Sequence, residues 1–352
     1  MKNIELTIES IKKITENRQP QFGNIESILA RGKADRTVLF ELFMNYSLYT
    51  DVNGHGPKDS SFKEKILWTM QAFRRLGYDY FSLDAPSDFF FPRCEHNEGD
   101  SISQNDMTMI RNRSDFNSYP WPRIEMIDFS YLDLLNHEMI PGMKAIPFSP
   151  GGVLENTTEI LGFDNMCYLL YDDPELLEDV FTRVGGILLE YYKTILDYDC
   201  IGAVIVNDDW GFATQTMLST EMMRKYVVPW HKRIAEITHK AGKKTIMHSC
   251  GQLELIMDDV IDDIKHDGKH SYEDKILPVE EAYLCWNDRI AIFGGIDIDF
   301  ICRSTPEEVY NRSKSMCELT GNKGYALGTG NSVPEYIPRK NYLAMLLAGL
   351  EE

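Results

Sequence analysis

The amino-acid sequence predicts a single α/β domain spanning residues 1–352, a (β/α)8 TIM barrel with an extended amino-terminal region and a long loop after its second strand. Three observations predict it. The carboxy-terminal half alternates short apolar, β-branched runs with stretches at helical spacing, the pattern of parallel strands joined by helices. With the noisier first half included, the count of such units reaches eight. A chain of 352 residues also suits one barrel, which commonly takes about 250 residues plus insertions, and no change in composition marks a domain boundary.

In chain order, the first strand candidates are TVLFELF (37–43), DYFSL (79–83) and KAIPFSP (144–150). The stretch from about 84 to 142, rich in Asn, Ser, Asp and Pro, is too long for a connector and is expected to cover one barrel end. Asp173-Pro174-Glu175 opens a long helix through Leu196. IGAVIV (201–206) is the next strand, followed by a helix opened by Ser219 and Thr220 with Met223, Val227, Trp230, Ile234 and Ile237 on one face. After KKTIMH (243–248), Leu253, Ile256, Met257, Val260 and Ile261 line one face of another helix. DGKHSY, the helical PVEEAYLCW and the strand RIAIFGG then lead to a helix whose Thr305 and Glu308 fit a capping box and whose Pro306 fits the first helical position. GYALGTG and the closing helix NYLAMLLAGL complete the series.

Composition narrows the function. A chain 43% apolar and 26% charged is that of a folded globular protein, and no run approaches the roughly 18 apolar residues of a membrane span. The first residues, MKNIELTIESIKKITENRQPQ, lack the apolar core of a secretory signal, so a cytoplasmic location is expected. The formal charge of −19 argues against a nucleic-acid surface and disfavours a polyanionic substrate. Seven cysteines without a close, regular spacing suit reduced thiols, which makes any specially placed one a ligand or nucleophile candidate.

In such barrels the chemistry sits at the carboxyl ends of the strands. Those ends carry Glu41, Met44 and Asn45; Asp84 and Asp88; Pro150 and Gly151; Asn207, Asp208 and Asp209; His248 and Cys250; His270 and Glu273; Gly295 and Asp297; and Asn331. Period-two geometry turns His248 and Cys250 to one side, where neutral imidazole and thiolate together suit Zn²⁺. A third donor from the next strand end would be Glu273 or His270. The alternative is a hydrogen-bonded histidine beside a buried free cysteine. Asp208 and Asp209 offer acid/base or substrate-binding carboxylates, with Asp208 preferred, or else solvated helix-loop caps. Tyr119, Trp121 and Trp210 are candidates for an aromatic pocket, although core packing or loop anchoring explains such residues as often. The glycines at 294–295 and 328–330 come without a P-loop lysine or GxGxxG, which leaves nucleotide binding without support.

HSCG (248–251), DRIAIFGGIDID (288–299), STPEEV (304–309) and GYALGTGNSVPEYIPRKNYLAM (324–345) together resemble the uroporphyrinogen decarboxylase superfamily. The resemblance covers roughly residues 30 to 350 and is densest in the second half. It implies the barrel and two kinds of activity, cofactor-free decarboxylation of a tetrapyrrole or zinc- and cobamide-dependent methyl transfer. The decarboxylases carry an arginine-rich segment after the first strand, where this sequence reads ELFMNYSLYTD without an arginine. Where they have a tyrosine after the third strand and a histidine after the eighth, Glu159 and Asn331 stand, and their catalytic aspartate corresponds to Asp84 or Asp88. The methyltransferases bind zinc through His-x-Cys after the fifth strand, matched by His248 and Cys250. The second cysteine of the coenzyme M enzymes is replaced by Asn331.

The resemblance therefore implies the corrinoid-dependent methyltransferase branch. On it, the chain would move a methyl group between a small donor or acceptor, such as a methoxylated aromatic in an O-demethylase, and a methylcobamide (cobalamin) carried by a partner corrinoid-binding protein. Zn²⁺ would sit on His248, Cys250 and Glu273 or His270. Asp208 or Glu159 would handle the proton, and Asp84, Trp210, Asn331, Tyr119 and Trp121 would line the substrate. A homodimer fits the same resemblance. The rival readings are a metal-independent decarboxylase of a smaller acid and a non-catalytic barrel that binds a small ligand.

Overall fold

The computed structural model describes residues 5–56, 61–93 and 108–351. Two helices, Ile8–Thr15 and Gly23–Leu29, form the amino-terminal extension. Among the described residues eight short strands follow: β1 (Val38–Leu39), β2 (Tyr80–Leu83), β3 (Lys144–Pro147), β4 (Ala203–Asn207), β5 (Lys244–His248), β6 (Gly268–His270), β7 (Ala291–Phe293) and β8 (Tyr325–Leu327). All are parallel, in ladders ordered β1-β8-β7-β6-β5-β4 and β2-β3. Strands of a parallel barrel are covered outside by their crossover helices and inside by packed side chains, which is why these read as continuous apolar runs.

Two bonds join the ladders at β3, where Ala145 N–H donates to the Cys200 carbonyl at 2.8 Å and Gly202 N–H to the Ala145 carbonyl at 3.0 Å. At the β1–β2 seam a side chain performs the strand's part. The Tyr80 hydroxyl donates to the Glu41 carbonyl at 2.5 Å and accepts from the Glu41 N–H at 2.8 Å, while the Ser82 hydroxyl reaches the same carbonyl at 3.0 Å. Inside the ring, Phe40 packs against Tyr80, Phe293 and His270 at centroid distances of 5.5, 4.8 and 5.3 Å. Gly328 is required where β8 meets β1, because a Cβ there would lie 1.7 Å from the Phe40 carbonyl oxygen.

The helix signals behave as their chemistry dictates. Asp173 caps Pro174–Leu196 by accepting from Leu176 N–H at 3.0 Å, and Thr305 and Glu308 close a capping box ahead of Pro306–Thr320. Arg339–Leu350 is buried on every side from Asn341 onward, with Gly349 set against Leu39 of β1 and Leu327 of β8.

Four expectations are corrected. The first strand has only two ladder residues, because the chain turns away beyond Phe40 to build the barrel mouth. The helix after β4 is two helices, Thr220–Tyr226 and Val228–Lys240, with Pro229 restarting the turn in the second. After β5 the chain forms a 3₁₀ turn at Glu254–Ile256 and a π-helical turn at Asp259–Ile264 rather than one α-helix, although the expected apolar residues are buried. The stretch 84–142 contains the helices Arg113–Ser118 and Ser130–Glu138, while its residues 94–107 lie outside the described ones.

Tyr80→Phe should destabilise the fold by about 1–3 kcal/mol, since it strands a buried N–H and weakens the hold on a buried carbonyl. Urea denaturation checks this, and an unchanged midpoint would show that the β1–β2 seam does not depend on the hydroxyl.

Candidate metal centre

The parallel register sets the site's first layer. His248 pairs with Asn207 on β4 and with His270 on β6, so the two imidazoles are neighbours at the carboxyl ends of adjacent strands. Their Nδ1 atoms are 2.7 Å apart, and His270 Nε2 lies 3.1 Å from the Thr329 carbonyl oxygen. A carbonyl oxygen only accepts, so His270 carries its proton on Nε2 and its Nδ1 is an acceptor. His248 must then donate from Nδ1, which leaves the lone pair of its Nε2 free. Burial, assisted by Lys269, holds His248 down to about 3 and drives His270 well below the usual imidazole range, in keeping with two neutral rings.

Two loops supply what that lone pair faces. Gly251, with φ +85°, passes so close to Gly211 that a Cβ would sit 2.1 Å from the Gly211 carbonyl oxygen, which brings the loop after β5 against the loop after β4. Asp209 Oδ1 then accepts from Cys250 N–H at 2.8 Å and lies 4.0 Å from His248 Nε2. A carboxylate oxygen of Asp209, an imidazole nitrogen of His248 and the Cys250 sulfur all lie within 4.8 Å of one another. Burial first, and Asp209 second, push the Cys250 thiol up to about 12, so without a cation the sulfur keeps its proton. Nitrogen, sulfur and oxygen donors gathered this closely, with the imidazole oriented through its other nitrogen, suit Zn²⁺.

The remaining predicted residues divide. Asn331 is at the centre, with its Nδ2 donating to Cys250 Sγ at 3.2 Å. Both ring nitrogens of His270 have partners, His248 Nδ1 and the Thr329 carbonyl, and it lies outside the group of three close donor atoms. Glu273 lies outside the three-atom group, on the wall of a 480 Å³ cleft that it shares with Asn331, Tyr272 and Lys275. Asp84 is exposed toward the mouth, and the protein around it raises its carboxyl.

Asp208 is not free for acid/base work. Fully buried, it accepts from Leu154 N–H, Glu155 N–H, Trp210 Nε1 and His231 Nε2 at 2.9–3.1 Å, fastening the first turn of the helix Val153–Leu161. Trp210 is likewise fully buried and serves that anchor rather than a pocket. Tyr119 donates to the Pro92 carbonyl at 2.6 Å and Trp121 to the Phe116 carbonyl at 3.2 Å, with their rings 4.5 Å apart, so their polar atoms fasten the covering segment. Glu159 pairs with Arg93 at 2.5 Å.

Sequence reasoning did not single out Glu155. Its Oε2 accepts from Gly152 N–H at 2.9 Å, and burial, then Asp208 and Asp209, raise its carboxyl to about 8. The available signal was spacing, because Glu155 and Glu159 stand four apart on one helix face.

Over 211 residues the chain is 28% identical to the methylated-thiol–coenzyme M methyltransferase of Methanosarcina mazei, covering 60% of this chain and 52% of that protein. The match thus spans about half of that relative's length. Among solved structures, a methyltransferase from Methanosarcina mazei superposes with a TM-score of 0.69 at 13% identity, covering 92% of this chain and 96% of that one. A Listeria monocytogenes protein described as a vitamin-B12 independent methionine synthase gives 0.50 at 10% identity, covering 95% and 98%. At these identities both likenesses are of fold. Residues 129–349, more than half of the chain, match the family described as uroporphyrinogen decarboxylase (URO-D), and it is to that family that the chain belongs.

Proposed function

We propose that the protein is a zinc-dependent methyltransferase that moves a methyl group between a small neutral substrate, such as a methoxylated aromatic, and a corrinoid carried by a separate protein. One observation carries this reading: the hydrogen-bonded chain from Thr329 through His270 leaves the His248 Nε2 lone pair facing the Cys250 sulfur and the Asp209 carboxylate. The relative from Methanosarcina mazei, named for methyl transfer from a methylated thiol to coenzyme M, supports the reaction class.

Asp209, His248 and Cys250 would hold the ion, which supplies Lewis acidity toward the substrate heteroatom. Glu155, whose carboxyl feels the charges of Asp208 and Asp209, is the group assigned to the proton. Asn331 steadies the sulfur and opens onto the 480 Å³ cleft, a size within the roughly 300–1,000 Å³ of small-molecule pockets. The stacked rings of Phe43 and Phe148, 6.1 Å apart after β1 and β3, offer a flat apolar wall. A docking partner is supported by exposed apolar side chains on the segments that follow strand ends: Phe43 and Tyr46, Phe90, Phe212, Leu255 and Tyr336.

Purified protein supplied with zinc should hold close to one equivalent by elemental analysis, and Cys250→Ala, His248→Gln and Asp209→Ala should each lose most of it while remaining folded. A folded, zinc-free wild type would sink the reading, and activity that survives chelation would point to decarboxylation of a smaller acid instead.

Zinc binding at neutral pH should release about one proton, because the thiol is protonated beforehand and His248 is already neutral. The affinity should accordingly rise about tenfold per pH unit between pH 6 and 8. Calorimetry in buffers of different ionisation enthalpy measures the proton, and a release of zero would remove Cys250 from the ligand set.

A further inference from the structure

Beneath the candidate metal centre lies a buried acid without a part in the proposed reaction. Glu41, at the end of β1, is fully buried, and no cation pairs with it among the described residues. Among the described residues its carboxyl hydrogen-bonds to one residue. Oε1 accepts from Thr329 N–H at 3.1 Å, and Oε2 lies 2.5 Å from the Thr329 hydroxyl oxygen.

Counting protons at that hydroxyl fixes the state of the acid. Thr329 Oγ1 has a second oxygen neighbour, the Asn331 carbonyl, also at 2.5 Å. A hydroxyl brings a single proton, and the carbonyl brings none. An ionised Glu41 would leave one of these two short oxygen–oxygen contacts without hydrogen, lone pair against lone pair in a site without water access. If the carboxyl donates from Oε2 to Thr329, the hydroxyl donates onward to the Asn331 carbonyl and every short contact holds a proton. Burial, which raises this carboxyl to about 8, acts in the same direction.

Thr329 branches from there toward both halves of the centre. Its carbonyl oxygen accepts from His270 Nε2 at 3.1 Å, which decides the tautomer passed to His248. Its hydroxyl holds the backbone of Asn331, whose amide touches Cys250 Sγ at 3.2 Å. One residue therefore orients the nitrogen ligand and steadies the sulfur ligand.

We propose that Glu41 is a protonated positioning acid that, through Thr329, sets the cation-facing nitrogen of His248 and the seat of Asn331 on Cys250. The assignment rests on the metal reading above for its consequence, but not for the protonation itself. Glu41 lies behind Thr329 and His270 and makes no bond to Asp209, His248 or Cys250. Its effect is exerted through geometry.

The test compares wild type with Glu41→Gln and Glu41→Ala, using infrared spectroscopy for the carboxyl and Zn²⁺ competition against a chromophoric chelator for the centre. Gln reproduces a neutral acid, since its carbonyl accepts from Thr329 N–H and its amide donates to the hydroxyl. The wild type at pH 7 should show a protonated-carboxyl band that Glu41→Gln lacks. Glu41→Gln should bind Zn²⁺ within about twofold of wild type and Glu41→Ala about ten- to a hundredfold more weakly, the range for residues that orient metal ligands. Should Glu41→Ala fail to fold, Thr329→Ala removes the hydroxyl junction while keeping the carbonyl; it should weaken binding about tenfold, with Thr329→Ser restoring it. A carboxylate band in place of the protonated one overturns the protonation. Wild-type affinity in Glu41→Ala, or in Thr329→Ala where the former does not fold, overturns the positioning role. A wild type that binds no Zn²⁺ defeats the metal reading and with it the positioning role, while the infrared result still decides the state of Glu41.

Discussion

The hydrogen bond between two neutral imidazoles, His248 and His270, is the constraint on which the open end of this barrel depends. Among the described residues neither ring is hydrogen-bonded to a carboxylate, the nearest being Asp209 at 4.0 Å from His248 Nε2, and both are buried, so each satisfies its polar atoms as a neutral donor and acceptor. Only one arrangement does so with Thr329 as the fixed terminus. The direction of the chain then follows from a backbone carbonyl that cannot donate, and it ends in a lone pair directed at sulfur and carboxylate. The register of β5 against β6 is what makes this geometry available, since a slip of one residue would turn His248 out of the barrel.

A second buried chain uses the same logic for support. Asp208 accepts from His231 Nε2, whose Nδ1 lies 3.3 Å from His266 Nε2, and His266 Nδ1 meets the Thr245 hydroxyl at 3.0 Å. With the carboxylate as terminal acceptor, each imidazole points its proton toward Asp208. The carboxylate also receives two N–H groups from the first turn of Val153–Leu161, where a helix favours negative charge. Its position makes Gly152 necessary, because a Cβ there would fall 2.1 Å from the Asp208 Cβ. Adjacent aspartates thus serve opposite ends: Asp208 turns inward to hold the helix that carries Glu155, and Asp209 turns outward to Cys250 with its side chain 41% exposed.

The contrast explains which parts of the protein were legible in its sequence. The strands from β4 onward were readable because apolar runs and capping residues are local signals, and the Thr305–Glu308 box and the Asp173 cap obey rules that span three residues. The pair at His248 and Cys250 was readable for the same reason, since period-two geometry needs no distant partner. Asp209 was visible only as one of two adjacent carboxylates. The choice between them depends on which meets His231, 22 residues beyond Asp209, and that is set by packing. Glu41 lies 288 residues before Thr329 and meets it, and through it Asn331, only by closure of the barrel at β8 and β1, so no window of sequence contains their relation. Trp210, Tyr119 and Trp121 show the limit in the other direction: an aromatic residue near a strand end looks like a pocket wall until its N–H or O–H is seen bonded to the protein.

Membership of the uroporphyrinogen decarboxylase family does not by itself carry the reaction in the family's name, and the barrel mouth supplies the physical reason. A substrate with many carboxylates must exchange its water for fixed cations, or its desolvation goes uncompensated. After β1, where cations would be needed, this chain places Phe43 and Tyr46 in solvent and spends Asn45 on a helix cap. Arg339, which reaches the same segment, is bound to Asp51 and Ser47. The strand ends add Asp84, Asp209 and Glu273, and the nearby ammonium of Lys269 is buried against the Ser249 and Ser271 carbonyls. A mouth built this way offers little to offset the desolvation of a polyanion, in keeping with the small neutral substrate proposed for it. On the proposed metal reading, a cation would offset the charge of Asp209 and that of Cys250 once its thiol has released its proton.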